Sequence, residues 1–296
     1  MSLPQPQPPA DGVTFNAVAH AARAAASAAQ RAGVEVSEAV TMERLRDVSG
    51  LLESVWGRND EGVPVTSEVM RGLLHAGGCV TIAHDTDGGV VGAAVLAAAP
   101  ARSTYSLIAA VAPGCQDRGV GRAVKLRQRA WALEQGRTTM TWTFDPLVGR
   151  NARFNLVRLG ALATQYEVAF YGQMDDNLNG SDDSDRFVAR WRLDTARTLA
   201  AVEDSALEPA GPHPDAEVLR VGPDDAPLVR RDETGLWCRV PGDIVALRRD
   251  RPDLASRWRL DLRDVLTHAL SEGLAATHMS RTGWYFLTPN PNEETA

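Results

Sequence analysis

The segment Gln116-Asp117-Arg118-Gly119-Val120-Gly121 decides how this chain folds, because the hydrophobic pattern changes on either side of it. Before it, β-prone runs occupy residues 79–83, 90–98 and 105–111, and turn-forming residues separate them. No helix fits between these runs. The three strands are therefore predicted to form an antiparallel meander.

The stretch after this segment has a helical period. A helix is predicted at 119–135 and a strand at 138–144, and strand, helix and strand together form one right-handed parallel unit. A helix at 152–159 and strands at 165–171 and 187–193 follow. The sequence thus predicts an α+β fold with a mixed, mostly antiparallel sheet flanked by helices.

Two glycines open the predicted helix, and basic residues surround them. Backbone N–H groups at a helix N terminus attract anions, above all where glycine leaves them unshielded. Arg118, Arg122 and Lys125 add positive charge nearby. A phosphate site is one interpretation, and an ordinary helix with solvated basic residues is the other.

Three kinds of phosphate loop compete for this segment. The P-loop pattern fails, because Val120 and Gly121 stand where Lys and Ser or Thr are required. The dinucleotide fingerprint lacks its third glycine, which is Val124, although Asp145 stands where a ribose-binding acid would. A meander in front of the loop also disfavours a doubly wound fold. The third pattern, the acyl-CoA loop Gln/Arg-x-x-Gly-x-Gly/Ala, is matched in full.

The loop and the order of elements over residues 34–193 together resemble the GNAT N-acyltransferase superfamily. A bacterial subfamily of predicted acetyltransferases with a C-terminal extension is similar in further motifs. These are Phe144-Asp145-Pro146-Leu147, Arg150-Asn151-Ala152, Phe154-Asn155-Leu156, Leu159-Gly160-Ala161 and Phe170-Tyr171-Gly172. The resemblance implies a GNAT-type sheet, followed by a smaller C-terminal α+β unit.

The resemblance also implies that acetyl-CoA or another acyl-CoA is the co-substrate and that no metal takes part. It assigns backbone pairing with the pantetheine arm to Ala110 and Val111, and side-chain contacts near the arm to Asn151 or Asn155. Pyrophosphate binding is assigned to the loop and the first turn of the helix, with Gln116 of the loop motif included among the cofactor-binding residues. The loop residues are Gln116, Arg118, Gly119, Val120, Gly121, Arg122 and Ala123. A backbone N–H near Val111 is expected to stabilise the tetrahedral oxyanion.

The catalytic groups are less clearly indicated. Many GNAT enzymes carry a Tyr that protonates the leaving thiolate, and the matching position here is Leu156. Asn155 beside it can donate a hydrogen bond to the leaving group without transferring a proton, and Tyr171 could approach from the neighbouring strand. Asp145 is the candidate base, although Asp before Pro is also a common turn starter. Arg190 and Arg192 could bind a substrate carboxylate or simply solvate an edge strand.

Composition excludes several partners. The chain has 31 Lys and Arg against 38 Asp and Glu, a net charge of −7, and no basic run, so neither a nucleic acid nor an anionic membrane surface is an expected partner. Its three cysteines form no CxxC motif, which fits a reducing cytoplasm. Lys125, the single lysine, is expected to meet a CoA phosphate.

The expected organisation has four parts: a tail with an Ala-rich helix at 1–33, the GNAT domain at 34–193, a linker at 194–232 with one possible strand at 217–221, and a small α+β domain at 233–296. The start of the chain has the pattern of neither a signal peptide nor a membrane span. Trp237, Trp258 and Trp284 are predicted to fill the last core. An interface with a second subunit, which would make a homodimer, is the alternative.

The prediction is a cytoplasmic N-acyltransferase that transfers an acetyl or other short acyl group to the amine of a small molecule. Some relatives are associated with the N-succinylation of amino acids, so the resemblance implies an amino acid as one acceptor class. Two alternatives stay open: a non-catalytic, regulatory CoA-binding protein and, third, a dinucleotide-binding enzyme.

Overall fold

A computed structural model describes residues 15–57, 62–172, 182–206, 208 and 210–291. They belong to two compact units. Unit 1 contains the described residues up to Trp142 together with Arg192–Asp194, and unit 2 contains those of Thr143–Trp191 and from Thr195 onward. The expected tail before residue 15 lies outside the described residues.

The strands of unit 1 follow the predicted order. They are β1 (Glu35–Glu38), β2 (Cys79–His84), β3 (Val90–Ala99), β4 (Ser103–Val111) and β5 (Thr139–Phe144), whose last two residues belong to unit 2. β1 to β4 pair antiparallel in sequence order, and β5 pairs parallel to β4. The predicted meander and parallel crossover are both confirmed.

The helices of unit 1 also begin where local signals place them. They are α1 (Phe15–Ala32), α2 (Met42–Trp56), α3 (Ser67–His75) and α4 (Val120–Glu134). The Thr41 side chain accepts a hydrogen bond from the N–H of Arg44 and caps α2. Thr66 caps α3 in the same way.

One core of unit 1 lies between α2, α3 and the meander. Leu45, Leu52 and Met70 of the helices are fully buried with Ile82 and Val95 of the strands. Burial of this apolar surface fixes the meander and so fixes the end of β4, from which the loop to α4 starts.

Unit 2 contains a second run of antiparallel strands. They are β6 (Leu162–Glu167), β7 (Arg186–Arg192, whose last residue belongs to unit 1), β8 (Glu217–Val221), β9 (Pro227–Asp232), β10 (Gly235–Arg239), β11 (Leu274–Met279) and β12 (Trp284–Pro289). Their order in the sheet is β7-β6-β11-β12-β10-β9-β8. The α+β fold class predicted from the sequence is confirmed.

Short helices connect these strands. They are α5 (Gly149–Arg153), a π-helical turn (Phe154–Arg158), α6 (Ala196–Val202), α7 (Ile244–Asp250) and α8 (Pro252–Ser271). The single helix predicted at 152–159 is therefore two shorter elements. No described helix is long and apolar enough to cross a membrane.

Two further expectations differ from the structure. The stretch 194–232, predicted as a linker, contains α6, β8 and β9. β8 coincides with the one possible strand that the sequence indicates in this stretch, whereas α6 and β9 were not predicted. The strand predicted to reach Tyr171 ends at Glu167, where Ala169, with φ of 49°, turns the backbone.

Tryptophans contribute to the core of unit 2. Trp237 and Trp258 are buried, whereas Trp284 is half-buried with the Arg230 guanidinium 6.0 Å from its ring centre. Trp237 also stacks on Phe286 at 4.4 Å and donates its indole N–H to Asp232. Two of the three predicted core tryptophans thus occupy that position.

Candidate functional site

β4 pairs with its neighbours unequally. Its pairing with β3 continues to Val111, but its parallel pairing with β5 ends at Tyr105 and Thr141. Among the described residues, Ser106–Val111 therefore has no strand partner on the side opposite β3. We call this segment the free edge of β4. Unpaired backbone groups of this kind are a template for an extended ligand.

The free edge leads directly into the predicted loop. The Cys115 N–H donates to the Ala112 carbonyl, and the Gly114 N–H donates to the Gln116 side chain at 2.8 Å. Gly119 has φ of 87°, a conformation that glycine adopts without a Cβ penalty. The side chains of Gln116 and Arg118 are exposed, so the loop presents both to solvent.

α4 begins without a side-chain cap. Gly119 is its N-cap residue, and the N–H of Ala123 makes the first backbone hydrogen bond, to the Gly119 carbonyl. The N–H groups of Val120 and Gly121 precede that bond. A Cβ placed on Gly121 would lie 3.4 Å from Cγ2 of Val111, so the first turn of α4 lies beside the end of the free edge.

The residues of the first turn differ in what they can offer a ligand. Val120 and Ala123 are buried, and Val120 packs against Gly92 of β3, so their side chains face the core. Arg122 is largely buried as well. The predicted contacts of this turn would therefore come from backbone groups at Val120 and Gly121, with Arg118 as the exposed cation.

Lys125 does not extend towards the loop, where it was expected to meet a phosphate. Its Nζ donates to Ser106 Oγ at 2.7 Å and lies 4.2 Å from the ring centre of Trp142. Ser106 in turn donates to Gln128 Oε1 at 3.2 Å. Burial lowers the pKa of Lys125 to about 7.

Neither Ser106 nor Trp142 was identified from the sequence. One signal was available: Thr104 and Ser106 alternate along β4, and both are buried. A hydroxyl on the core face of a strand needs a partner, and the amine of the nearby helix supplies it.

Asp145, the candidate base, belongs to unit 2 and is buried there. Its carboxylate accepts hydrogen bonds from Arg259 at 2.9 and 3.1 Å, from Arg248 at 2.5 Å and from the Leu147 N–H at 2.9 Å. Burial alone would raise its pKa, but the two arginines outweigh burial and lower the pKa to about 2. A carboxylate held in this way is a structural anion and a turn starter, and it does not act as a base at neutral pH.

The arginines around Asp145 come from the C-terminal helices. Arg248 lies on α7 and Arg259 on α8, and both also contact Asp182. Arg259 is 1% exposed. The sequence showed abundant arginine and aspartate in these regions, but nothing in their spacing indicated which of them meet.

The remaining predicted side chains of unit 2 have different surroundings. Asn155 is buried in the π-helical turn, and Asn151 is exposed on α5. Tyr171 is 48% exposed in the turn after β6. Its hydroxyl shares a 3.2 Å hydrogen bond with Thr143 Oγ1, and the Arg186 guanidinium lies 5.2 Å from its ring centre.

Arg190 and Arg192 alternate with Trp191 on β7, as predicted. Both arginines are exposed, whereas Trp191 is fully buried. Arg190 belongs to unit 2 and Arg192 to unit 1.

Ala110 is buried and Val111 half-buried on the free edge, so their backbone is the part that a ligand could pair with.

Among the described residues, no group of His, Cys, Asp and Glu is arranged to hold a metal ion.

No protein-family model matches the chain, and no curated protein matches it significantly. Similar solved structures include a protein from Desulfovibrio desulfuricans described as an acetyltransferase of the GNAT family, at 24% identity, covering 54% of this chain and 99% of that one, with a TM-score of 0.43. An acetyltransferase of the GNAT family from Streptococcus pneumoniae is 13% identical, covering 54% and 98%, with a TM-score of 0.44. A GNAT superfamily phosphinothricin acetyltransferase from Sinorhizobium meliloti, in complex with AcCoA, is 16% identical, covering 54% and 88%, with a TM-score of 0.44.

These similarities cover about half of the present chain and nearly all of the other proteins. The fold itself is established by the chain's own pairing. The antiparallel meander, the loop and helix α4, the parallel strand β5, and the β6–β7 hairpin follow in the order predicted from the GNAT resemblance.

Proposed function

We propose that this chain is an N-acyltransferase that moves an acetyl or other short acyl group from acyl-CoA to the amine of a small molecule. One observation carries the proposal: β4 loses its pairing with β5 after Tyr105 but continues to Val111, directly before the uncapped N terminus of α4. The two features suit the two parts of CoA, an amide-containing arm and a pyrophosphate.

The free edge suits the arm because both form hydrogen bonds of the same kind. Unpaired backbone N–H and C=O groups of β4 would pair with the amides of the pantetheine arm as a further strand would. The pyrophosphate would then lie at the N–H groups of Val120 and Gly121, where the helix dipole favours negative charge. Arg118, exposed on the loop, would add a charged contact.

In the proposed reaction the neutral acceptor amine attacks the thioester carbonyl. A C–N bond forms, the carbonyl oxygen becomes an oxyanion, and the C–S bond then breaks with its electron pair on sulfur. An unpaired N–H of the free edge would stabilise the oxyanion. Since Asp145 is held by Arg248 and Arg259, the amine proton would pass to water.

The acceptor is proposed to be a small amine, with amino acids as the first class to test. Arg190 and Arg192 on β7 remain the proposed contacts for an acceptor carboxylate, since both are exposed. From the resemblance, Asn151 or Asn155 remains the proposed side-chain contact near the arm. Asn155 remains a proposed hydrogen-bond donor to the leaving group, and Tyr171 is the residue that the resemblance offers as its proton donor.

A direct assay tests the proposal. Thiol release is measured with acetyl-CoA and with succinyl-CoA over a panel of amino acids and other small amines, and the shift of the melting temperature is measured with CoA and with NADH. Thiol release that is faster with an amine than in its absence supports the proposal.

The same measurements separate the alternatives. If CoA raises the melting temperature but no amine releases thiol, the chain is a non-catalytic CoA-binding protein. If NADH raises the melting temperature and CoA does not, the chain is a dinucleotide-binding protein and the proposed acyl-CoA site is wrong.

A further inference from the structure

Lys125 is the one amine-bearing side chain of the sequence, and it is buried beside the free edge. The last β4–β5 pair is Tyr105 with Thr141, and the next residue on each strand is Ser106 and Trp142. Nζ of Lys125 contacts both of these residues, at 2.7 Å from Ser106 Oγ and 4.2 Å from the Trp142 ring centre. The amine therefore lies where the pairing ends.

The surroundings of this amine are unusual for a lysine. An ammonium has three N–H donors, and Ser106 takes one of them. Among the described residues Nζ takes part in no ion pair, although buried cations are normally paired. The Trp142 ring offers an attraction that is weaker than that of a carboxylate. A fold that needed only packing here would place a Leu or Met at this position.

The charged and titratable groups near α4 do not form an ion pair with Lys125. On the elements that pack against α4, and on α4 itself, they are His20, Arg23 and Arg31 on α1, Glu35 and Glu38 on β1, Cys79 and His84 on β2, Tyr105 on β4, and Arg122, Arg127, Arg129 and Glu134 on α4. Arg127 pairs with Glu38 and Glu134, and Arg129 donates to the Leu193 carbonyl and contacts His20. Burial is the one cause that shifts the pKa of Lys125.

Lys125 lies where the acyl end of the proposed substrate is expected. A ligand bound at the α4 N terminus begins at Val111, and the free edge extends from there back to Ser106, about 16 Å at the rise of an extended strand. The phosphate end would lie at Val111, so the arm extends towards Ser106. Its thioester is then brought towards the amine of Lys125.

We propose that Lys125 is the proton donor to the thiolate of CoA, an inference that rests on the proposed acyltransferase function. When the C–S bond breaks, sulfur takes the electron pair and accepts a proton from the Lys125 ammonium. CoA leaves as a thiol, and Lys125 is left as a neutral amine. The proton on the new amide nitrogen passes to water, and Lys125 regains one from water before the next turnover.

The chemistry favours a proton donor over a fixed positive charge. A thiol has a pKa of about 8.5, so an acid that titrates near neutrality can protonate a thiolate and be restored at the same pH. An arginine would suit an oxyanion better, since it keeps its charge at every working pH. The chain uses arginine at its other basic positions and lysine at this one.

The first test uses the fact that there is a single lysine. Untagged protein labelled with ¹³C at lysine Cε has one lysine signal, which is followed against pH with and without CoA. We expect a midpoint near 7 and a change of chemical shift on saturation with CoA. A midpoint above 10, or a lysine signal that does not change at saturating CoA, would overturn the inference. Neither result depends on a measurement of activity.

The second test uses two substitutions in the full chain. Lys125→Met removes the proton and Lys125→Arg keeps the charge without a transferable proton, and both should lower kcat by about 100-fold or more with the Kd for CoA within threefold of wild type. The wild-type rate should decline as pH rises above 7, and both variants should lose that decline. Full activity in Lys125→Arg would show a fixed charge and overturn the inference.

Arg127→Gln is the matched control, because Arg127 lies on the same helix and pairs with Glu38 and Glu134 away from the free edge. Its kcat should stay near that of wild type. If wild-type protein binds CoA but releases no thiol with any amine, the proposed function fails first. The labelled lysine then still reports whether Lys125 lies at the CoA site.

Discussion

Arg259 holds Asp145 through two parallel hydrogen bonds, Nη1 to Oδ1 at 2.9 Å and Nη2 to Oδ2 at 3.1 Å. This two-point contact matches the planar geometries of guanidinium and carboxylate. Arg248 donates to the same carboxylate, and both arginines also contact Asp182. Asp145, which the sequence offered as the candidate base, is thus the centre of a buried ionic cluster.

Replacing Asp145 should destabilise unit 2. Asp145→Asn leaves the buried guanidinium of Arg259 short of negative charge, and breaking a buried pair costs about 3–5 kcal/mol. The free energy of unfolding from urea titration measures this loss. Asp215→Asn is the control, because the Asp215 side chain is 93% exposed and its replacement should change stability by less than about 0.5 kcal/mol. Equal stability of both variants would contradict the assigned role.

The same cluster predicts how stability responds to acid. The pKa of Asp145 is lowered from 3.8 to about 2, so the folded protein binds this proton less readily than the unfolded chain. The lowered pKa contributes about 2 kcal/mol to the free energy of unfolding. This contribution is fully present above pH 4 and is lost as pH falls through 2. Unfolding measured between pH 5 and 2 should show a steeper loss in wild type than in Asp145→Asn. A parallel loss in both would show that other groups dominate.

Lys125 should make stability rise with pH as well, but in a higher pH range than Asp145. Its pKa falls from 10.5 to about 7 on folding, so between these values the unfolded chain binds the additional proton and stability rises with pH. The full shift corresponds to about 5 kcal/mol. Lys125→Met should therefore be more stable than wild type at pH 6, and the difference should shrink by pH 10. Urea unfolding at the two pH values measures it, and a difference that does not change with pH would rule out a buried, titrating amine.

Gly121 should control CoA binding. Gly121→Leu places a side chain beside Val111, over the N–H groups that precede the first hydrogen bond of α4, and should weaken CoA binding at least tenfold. Stability should not fall, because leucine has a higher helix propensity than glycine. Gly72→Leu is the matched control, since Gly72 is an exposed helical glycine of α3 with nothing within 4 Å of an added Cβ. Calorimetric titration with CoA measures both, and unchanged affinity in Gly121→Leu would exclude the loop from the site.

Tyr171 competes with Lys125 for the role of proton donor. If Lys125 is the donor, Tyr171→Phe should keep kcat within about threefold of wild type, since its phenol is half-exposed and bonded to Thr143. A loss of 100-fold in Tyr171→Phe with normal CoA binding would assign the step to Tyr171. Steady-state rates for Tyr171→Phe and Lys125→Met, measured side by side, decide between the two residues.

Much of unit 1 was predictable because its signals are local. The Thr41 side chain caps α2 by accepting from the N–H of Arg44, three positions away, and Gly119 adopts the positive φ of the turn into α4. The strands of the meander are separated by short turns, which leaves one way to pair them. In the stretch 194–232 the possible strand at 217–221 is β8, but α6 and β9 were not predicted, since elements of six or seven residues carry little periodic signal.

Local sequence is enough to predict the order of the elements, the loop at 116–121 and the glycine-led start of α4, since each depends on neighbours within a few residues. The contacts of Lys125 with Ser106, 19 residues away, and of Asp145 with Arg259, 114 residues away, come from tertiary packing. Such partners are chosen by which strands and helices pack together, and a side chain's charge and pKa follow from that packing. For this reason the loop at 116–121 could be predicted from residue spacing, whereas the partners of Asp145 and of the single lysine could not.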